Sequence, residues 1–216
     1  MMLKFVHPST ILVSGPTGCG KTRFVSSMIL KNMFERMPHR IVWVYSEWQP
    51  LYDEVKLLRS EVEFVHGLSD ELYDSLDANV RNLVILDDQM SHAGDSKMLS
   101  RLFTEGSHHR NLSIIYIVQN LFDKGKSHRT VSLNAQYIIV FKNPRDKSQI
   151  QTLGRQMFPQ QLHFFTDAFE DATKVPYGYL VIDLRPETPD DFRLRTSIFS
   201  TDDAVAYISI SSYKRT

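Results

Sequence analysis

Apolar and polar positions alternate along the chain in blocks typical of an α/β protein. Short, continuous apolar runs, as expected for strands buried on both faces of a parallel sheet, lie at 10–13, 40–45, 82–86, 112–118 and 136–141. Segments with helical spacing of apolar residues separate them, at 23–37, 51–58, 70–76, 96–103, 148–157 and 160–170. A further strand is predicted at 62–66. The alternation predicts a three-layer α/β fold with a mainly parallel sheet.

The last part of the chain has a different pattern. Two strands are predicted at 177–184 and 193–199, joined by a Pro-Glu-Thr-Pro turn, which is typical of an antiparallel hairpin at a sheet edge. Residues 131–135 are ambiguous, and 205–210 is either a last strand or a frayed end. With 216 residues, the chain suits one domain, 1–216, with a small C-terminal β extension over roughly 176–216.

A glycine-rich loop lies between the first predicted strand and the first predicted helix. Its residues match the phosphate-binding pattern G-x-x-x-x-G-K-[ST] at every fixed position: Gly15, Pro16, Thr17, Gly18, Cys19, Gly20, Lys21 and Thr22. Glycines let backbone N–H groups turn toward phosphate oxygens, and the following helix presents its positive end to the same anion. Lys21 would bridge the β- and γ-phosphates of ATP, and the Thr22 hydroxyl would bind Mg²⁺. The alternative is a glycine-rich turn capping an ordinary helix.

Two acids, Asp87 and Asp88, follow the apolar strand at 82–86. We assign Asp87 to Mg²⁺ and Asp88 to the base that polarises the attacking water. Acids after a strand are also common as helix caps or turn residues, but the phosphate loop favours the catalytic interpretation. The second acid favours ATP hydrolysis coupled to mechanical work.

Gln119 and Arg110 flank the next predicted strand. Gln119 follows that strand, so we expect its amide to contact the γ-phosphate and report its presence. Its alternative role is to satisfy backbone groups of its own loop. Arg110 is a candidate for an arginine inserted into the site of a neighbouring subunit, and its alternative is a solvated surface arginine. The adjacent His108 and His109 point in different directions and do not make a convincing metal site.

Charge and cysteine content exclude only a few classes of function. Lys and Arg together number 25, as do Asp and Glu, so any DNA-binding surface must be local or arise by assembly of several copies. Candidate basic loops are Lys124–Lys126 and Arg145–Lys147. The single cysteine, Cys19, excludes an intramolecular disulfide, and no apolar run approaches the ~20 residues of a membrane span. We therefore expect an intracellular protein, cytosolic or nuclear.

These motifs resemble those of viral DNA-packaging ATPases of the FtsK/HerA superfamily, particularly the poxvirus-type enzymes and their relatives in Polinton (Maverick) elements. The resemblance rests on the loop, on the acid pair, on 109–114 running into Gln119, and on 143–146 and 179–184. It implies a homo-oligomeric ring, a hexamer or pentamer, that hydrolyses ATP to drive double-stranded DNA into a capsid, with capsid or portal proteins as further partners. It also implies a location in host cytoplasm or nucleus, or association with virions.

Two residues are interpreted through this resemblance. Arg110 matches the family's arginine that acts across the subunit interface, and Gln119 matches its polar sensor. Asp88 departs from the pattern, because cellular members of the superfamily usually carry Glu there and the shorter acid reaches less far toward water. The alternatives that the sequence leaves open are a replicative helicase or initiator-type ATPase, a small-molecule or nucleoside kinase, and a non-catalytic assembly protein that binds ATP.

Overall fold

The structure is a computed structural model that describes residues 4–87, 97–106, 111–122, 126–200 and 204–209. Two predicted catalytic residues, Asp88 and Arg110, lie outside these ranges, as do His108, His109 and Lys124. None of the helices within the described ranges has the length and apolar character that a membrane span needs.

The described residues form nine strands in one sheet, in the order β3-β2-β4-β5-β1-β6-β7-β8-β9. Their bounds are β1 Thr10–Ser14, β2 Arg40–Tyr45, β3 Val62–His66, β4 Asn82–Asp87, β5 Leu112–Val118, β6 Tyr137–Phe141, β7 Tyr179–Asp183, β8 Leu194–Thr196 and β9 Val205–Ala206. The strands from β3 to β6 in this order are parallel, and β7, β8 and β9 are added antiparallel. The predicted mainly parallel sheet with a C-terminal β extension is confirmed.

Helices cover both faces of the sheet. They are α1 Lys21–Leu30, α2 Pro50–Leu58, α3 Asp70–Asp74, α4 Lys97–Arg101, α5 Lys126–Asn134, α6 Ser148–Met157 and α7 Leu162–Ala172. A π-helical turn, Leu102–Gly106, follows α4, and a 3₁₀ turn, Asp190–Phe192, precedes β8. The predicted basic loop Lys124–Lys126 is wrong at its last residue, because helix α5 begins at Lys126.

The strand side chains alternate between two cores, which is why the fold has three layers. In β1, Ile11 and Val13 belong to the core that includes residues of α1 and α2, whereas Leu12 belongs to the core that includes residues of the helices from α3 to α7. All three residues are at most 2% exposed. Continuous apolar runs are therefore required here, because a strand covered on both faces has no side for polar residues.

Helix α1 is shorter than its apolar spacing predicts. We expected a helix to residue 37, but α1 ends at Leu30 and Asn32 adopts a left-handed conformation with φ of 52°. The chain reverses there, and Phe34 forms an isolated parallel β-bridge with Phe5. Phe34 is 1% exposed, so its burial in an extended segment explains why the chain leaves the helix.

The position of β5 determines where the functional residues meet. It lies between β1 and β4, with Ser14 paired to Val118 and Asp87 paired to Ile117. All three strands are parallel, so their carboxyl ends share one edge of the sheet. The phosphate loop, Gln119 and Asp87 are consequently brought to neighbouring strand ends.

Candidate nucleotide site

The phosphate loop leaves β1 at Gly15, where there is no room for a side chain. The Gly15 N–H donates to the Val118 carbonyl across 3.3 Å, which ties the loop to β5. A Cβ at Gly15 would lie 2.7 Å from both the Phe141 Cβ and the Cys19 Sγ. The first glycine of the motif is thus required by close packing against β6.

Two further glycines shape the loop through left-handed backbone conformations. Gly18 has φ of 80°, and Gly20, which caps helix α1, has φ of 102°. The Cys19 N–H donates to the Pro16 carbonyl across 3.3 Å and closes the turn between them. Helix α1 then begins at Lys21, so its N-terminal N–H groups face the loop and form an arrangement suited to an anion.

The Lys21 ammonium lies against the loop that it follows. Its Nζ donates to the carbonyl oxygens of Gly15, at 2.7 Å, and Pro16, at 3.0 Å. These contacts keep the positive charge next to the concave side of the loop. A phosphate bound there would gain a charge-assisted hydrogen bond from the same ammonium.

One pocket of about 270 Å³ brings most of the predicted site residues together. Its lining consists of Thr17, Gly18, Gly20, Lys21, Thr22, Arg23, Gln49, Asp87, Ile117, Val118 and Gln119. The other predicted loop residues, Gly15, Pro16 and Cys19, form the framework of the loop. The lining therefore joins the loop, the strand-end acid and the strand-end amide in one cavity.

Asp87 is a buried carboxylate held by a tyrosine that the sequence did not point to. It is the last residue of β4 and only 2% exposed. The Tyr52 hydroxyl, on helix α2, donates to its Oδ2 across 2.9 Å. Tyr52 is 1% exposed, so the hydrogen bond forms in a dry environment and fixes the direction of the carboxylate.

Gln49 is a second functional candidate that the sequence did not single out. It immediately precedes helix α2 and lines the pocket. The signal that would have found both residues is topological: β2 pairs with β4, so the segment after β2 must lie beside Asp87.

An aromatic cluster supports this side of the pocket. Trp48 packs edge-on against Tyr52, with 5.5 Å between ring centroids, and against Tyr45, with 5.2 Å. Its indole Nε1 donates to Asp53 across 3.3 Å. Trp43 lies deeper in the same cluster, 5.4 Å from Tyr52 between ring centroids. These rings fix the start of α2, and with it Gln49 and Tyr52, against the sheet.

The surroundings of the loop cysteine suit a structural role for its side chain. Burial raises the pKa of the Cys19 thiol, and the nearby Lys21 ammonium offsets only part of this rise. The thiol is therefore protonated near neutral pH, and its Sγ fills space beside Gly15.

The pocket offers oxygen ligands suitable for Mg²⁺. The Thr22 hydroxyl and the Asp87 carboxylate belong to residues that line the same cavity. In the part of the chain that the structure describes, no group of three or more His, Cys, Asp or Glu residues is arranged to hold a metal ion. A hydroxyl, a carboxylate and nucleotide phosphates are ligands that Mg²⁺ accepts, so this donor set fits an ion bound together with its nucleotide.

The basic loop after β6 also lies at the carboxyl edge of the sheet. Arg145 and Lys147 are exposed there, just before helix α6. The Arg145 backbone N–H donates to the Asn143 side chain across 3.1 Å, which orders the turn. In the other candidate basic loop, Lys124–Lys126, the last residue is the first residue of helix α5.

Comparisons with known proteins agree on the fold. No protein-family model matches the chain, and no curated protein matches it. The genome-packaging NTPase B204 of Sulfolobus turreted icosahedral virus 2 in complex with ATPγS is 13% identical, with 83% of this chain and 94% of that chain covered and a TM-score of 0.56.

Two related structures give the same result. B204, the DNA-packaging ATPase of Sulfolobus turreted icosahedral virus, is 13% identical over 84% of this chain and 96% of its own, with a TM-score of 0.56. The virus 2 protein in complex with AMPPCP is 14% identical over 84% and 95%, with a TM-score of 0.55. The chain thus has a P-loop NTPase fold, which it shares with these viral genome-packaging ATPases.

Proposed function

We propose that this chain is an ATPase that acts as an oligomeric motor on double-stranded DNA and packages a viral genome into a capsid. The observation that carries the proposal is the single pocket that joins Lys21, Thr22, Asp87 and Gln119. The placement of β5 between β1 and β4 makes this convergence possible. The combination suits hydrolysis of a nucleoside triphosphate, because it supplies a phosphate cradle, a metal carboxylate and a polar side chain near the terminal phosphate.

Each described residue has a role that follows from its position. The loop N–H groups and the start of α1 bind the phosphate oxygens, and Gly18 and Gly20 give the backbone the required shape. Lys21 exchanges its contacts with the Gly15 and Pro16 carbonyls for the β- and γ-phosphates. Thr22 and Asp87 would hold Mg²⁺, which neutralises charge that develops on the phosphates.

The remaining catalytic roles are assigned from the sequence. Asp88 would accept the proton of the attacking water, directly after the metal carboxylate. Gln119, which lines the pocket, would contact the γ-phosphate and transmit its loss to β5. Arg110 would act on the pocket of a neighbouring subunit and stabilise transition-state charge there.

The DNA in this proposal is supported by the similarity to viral genome-packaging ATPases and by local charge, and the ring is carried over from the sequence resemblance. Net charge is zero, so the chain has no overall attraction for nucleic acid. The exposed Arg145 and Lys147 supply a local basic element at the same sheet edge as the pocket. Repetition of this element around a ring would create a positive track, and capsid or portal proteins would be the partners of the assembled motor.

The test is to measure the ATPase rate and the particle mass together, with and without duplex DNA. We expect hydrolysis that increases with duplex DNA, and a ring-sized particle when DNA and an ATP analogue are both present. Lys21→Ala should lower the rate by at least about 100-fold, because one charged donor to the reacting phosphates is lost.

Lys56→Ala is the matched control, since Lys56 is an exposed lysine on helix α2. It should leave the rate unchanged. A monomer that transfers the phosphoryl group to a small molecule would indicate a kinase instead. A chain that hydrolyses no ATP under any of these conditions would refute the proposal.

A further inference from the structure

The turn before β7 places an aromatic residue where glycine is expected. The Gly178 N–H donates to the Val175 carbonyl across 3.0 Å, which closes a four-residue turn with Pro176 second and Tyr177 third. Tyr177 has φ of 62°. Turns with proline second and a left-handed third residue normally carry Gly or Asn at that third position. A bulky side chain makes this conformation unfavourable, so its presence calls for a compensating role.

Burial does not provide that compensation. Tyr177 is 70% exposed, so its ring contributes little to the core. The turn itself is held tightly, because a Cβ at Gly178 would lie 2.5 Å from the Ala172 carbonyl oxygen and 3.0 Å from the Thr173 Cα. The end of helix α7 therefore fixes the backbone of the turn, and the Tyr177 ring is held over the surface rather than packed beneath it.

The exposed ring lies beside the phosphate loop. A Cβ at Gly20, the residue that precedes Lys21, would lie 3.2 Å from the Tyr177 Cδ1 and 3.8 Å from the Phe141 Cε1. The framework beneath is rigid, because Phe24 on α1 packs on Tyr179 with 4.6 Å between ring centroids and on Phe141 with 6.0 Å. The turn thus places a flat apolar surface next to the last glycine of the loop.

The order of the strands tells which part of a nucleotide would reach this ring. Asp87 and Gln119 mark the terminal-phosphate side of the loop. Asp87 ends β4 and Gln119 follows β5, and both strands lie on one side of β1. Tyr177 lies two residues before the start of β7, which is on the other side of β1, beyond β6. A triphosphate that runs along the loop with its γ end toward Asp87 therefore has its nucleoside end toward Tyr177.

We propose that Tyr177 is the platform on which the base of the bound nucleotide stacks. This inference rests on the proposed nucleotide site, and it adds the recognition of the base to that site. Stacking of a base on a tyrosine ring tolerates different purines, because every purine has a π-face. Tyr177 therefore contributes affinity for purine nucleoside triphosphates over the bare triphosphate group, without distinguishing adenine from guanine.

The test separates base from phosphates by using two probes on the full chain, the analogue AMPPCP and inorganic tripolyphosphate, each with Mg²⁺. Tyr177→Gly removes the ring and relieves the left-handed strain, so the variant should fold at least as stably as the parent chain. We expect its Kd for AMPPCP to increase by about tenfold, the loss typical of one base–aromatic stack, with its Kd for tripolyphosphate unchanged. Tyr177→Phe should bind both probes like the parent chain.

Phe192→Gly is the matched control, since Phe192 is also an exposed aromatic residue, 47% accessible, and lies in the 3₁₀ turn before β8. It should change neither Kd. An unchanged affinity of Tyr177→Gly for AMPPCP would overturn the inference, and so would an equal loss for both probes, which would mean that the ring supports the loop. A parent chain that binds neither probe would instead refute the nucleotide site itself.

Discussion

Two buried aspartates end strands of the same sheet and have opposite environments. Asp183, the last residue of β7, is fully buried and its Oδ2 accepts from Arg185 at 2.9 Å and Arg195 at 2.7 Å. Asp87, the last residue of β4, accepts from the neutral Tyr52 hydroxyl and lines the pocket. The first carboxylate forms a structural ion pair with two guanidinium groups, whereas the second accepts a hydrogen bond from a tyrosine hydroxyl and borders a cavity.

Strand direction separates the two aspartates in space. Strand β7 runs antiparallel to β6, and Asp183 pairs with Tyr137, the first residue of β6. It therefore lies at the sheet edge opposite the phosphate loop. An acid at the end of an apolar strand is thus the same signal in both segments, and only the direction of the strand shows which one lies at the pocket beside the phosphate loop.

The largest effect should come from breaking the buried ion pair. Asp183→Ala leaves the 5%-exposed Arg195 guanidinium without this carboxylate, so we expect the free energy of unfolding to fall by about 3–5 kcal/mol. Denaturant unfolding followed by circular dichroism measures the change. Asp190→Ala, which removes the partner of Arg193 on the surface, should change stability little. Equal effects of the two substitutions would contradict the structural role of Asp183.

Asp87→Asn should lower the activity of the protein and leave its stability nearly unchanged. The amide keeps the size of the side chain and accepts the Tyr52 hydrogen bond, but it removes the charge that would hold Mg²⁺. We expect ATP hydrolysis to fall by at least about 100-fold, with only a small change in the free energy of unfolding. Steady-state phosphate release and denaturant unfolding of the same preparation measure both. A rate close to that of the parent chain at any Mg²⁺ concentration would remove Asp87 as the metal carboxylate.

Tyr52→Phe should give a smaller and more selective effect. The ring stays in the aromatic cluster, but the hydroxyl that orients Asp87 is lost. We expect the Mg²⁺ concentration for half-maximal ATPase activity to increase by about tenfold, as for other residues that orient a metal ligand. The rate at saturating Mg²⁺ should change less. A loss of rate that excess Mg²⁺ does not restore would mean that Tyr52 acts on something other than metal binding.

Much of the fold was predictable because the local signals agree with one another. Continuous apolar strands, helical segments between them and the glycine loop all favour a parallel sheet, which the structure confirms. The end of α1 was not predictable, because Phe34 continues the helical spacing while the left-handed Asn32 redirects it to pair with Phe5. Spacing alone does not distinguish an apolar residue on a helix from one in a buried extended segment.

The site was predictable where its residues lie in one motif and not where they meet through the fold. The loop and Asp87 follow from sequence patterns, and Gln119 was placed by its position after a strand. Tyr52 reaches Asp87 only because β2 and β4 are neighbours, and Tyr177 reaches Gly20 only through the turn before β7. Such contacts depend on strand order, which hydrophobic spacing does not encode.

The aromatic cluster beside Asp87 also determines the optical properties of the protein. The chain has only two tryptophans, Trp43 and Trp48. Trp43 is fully buried, while Trp48 is 43% exposed and directly precedes Gln49, which lines the pocket. Intrinsic fluorescence therefore divides into a solvent-shielded contribution from the core and a solvent-sensitive contribution from the rim of the pocket. A change in emission on nucleotide binding would thus report on Trp48, without any attached label.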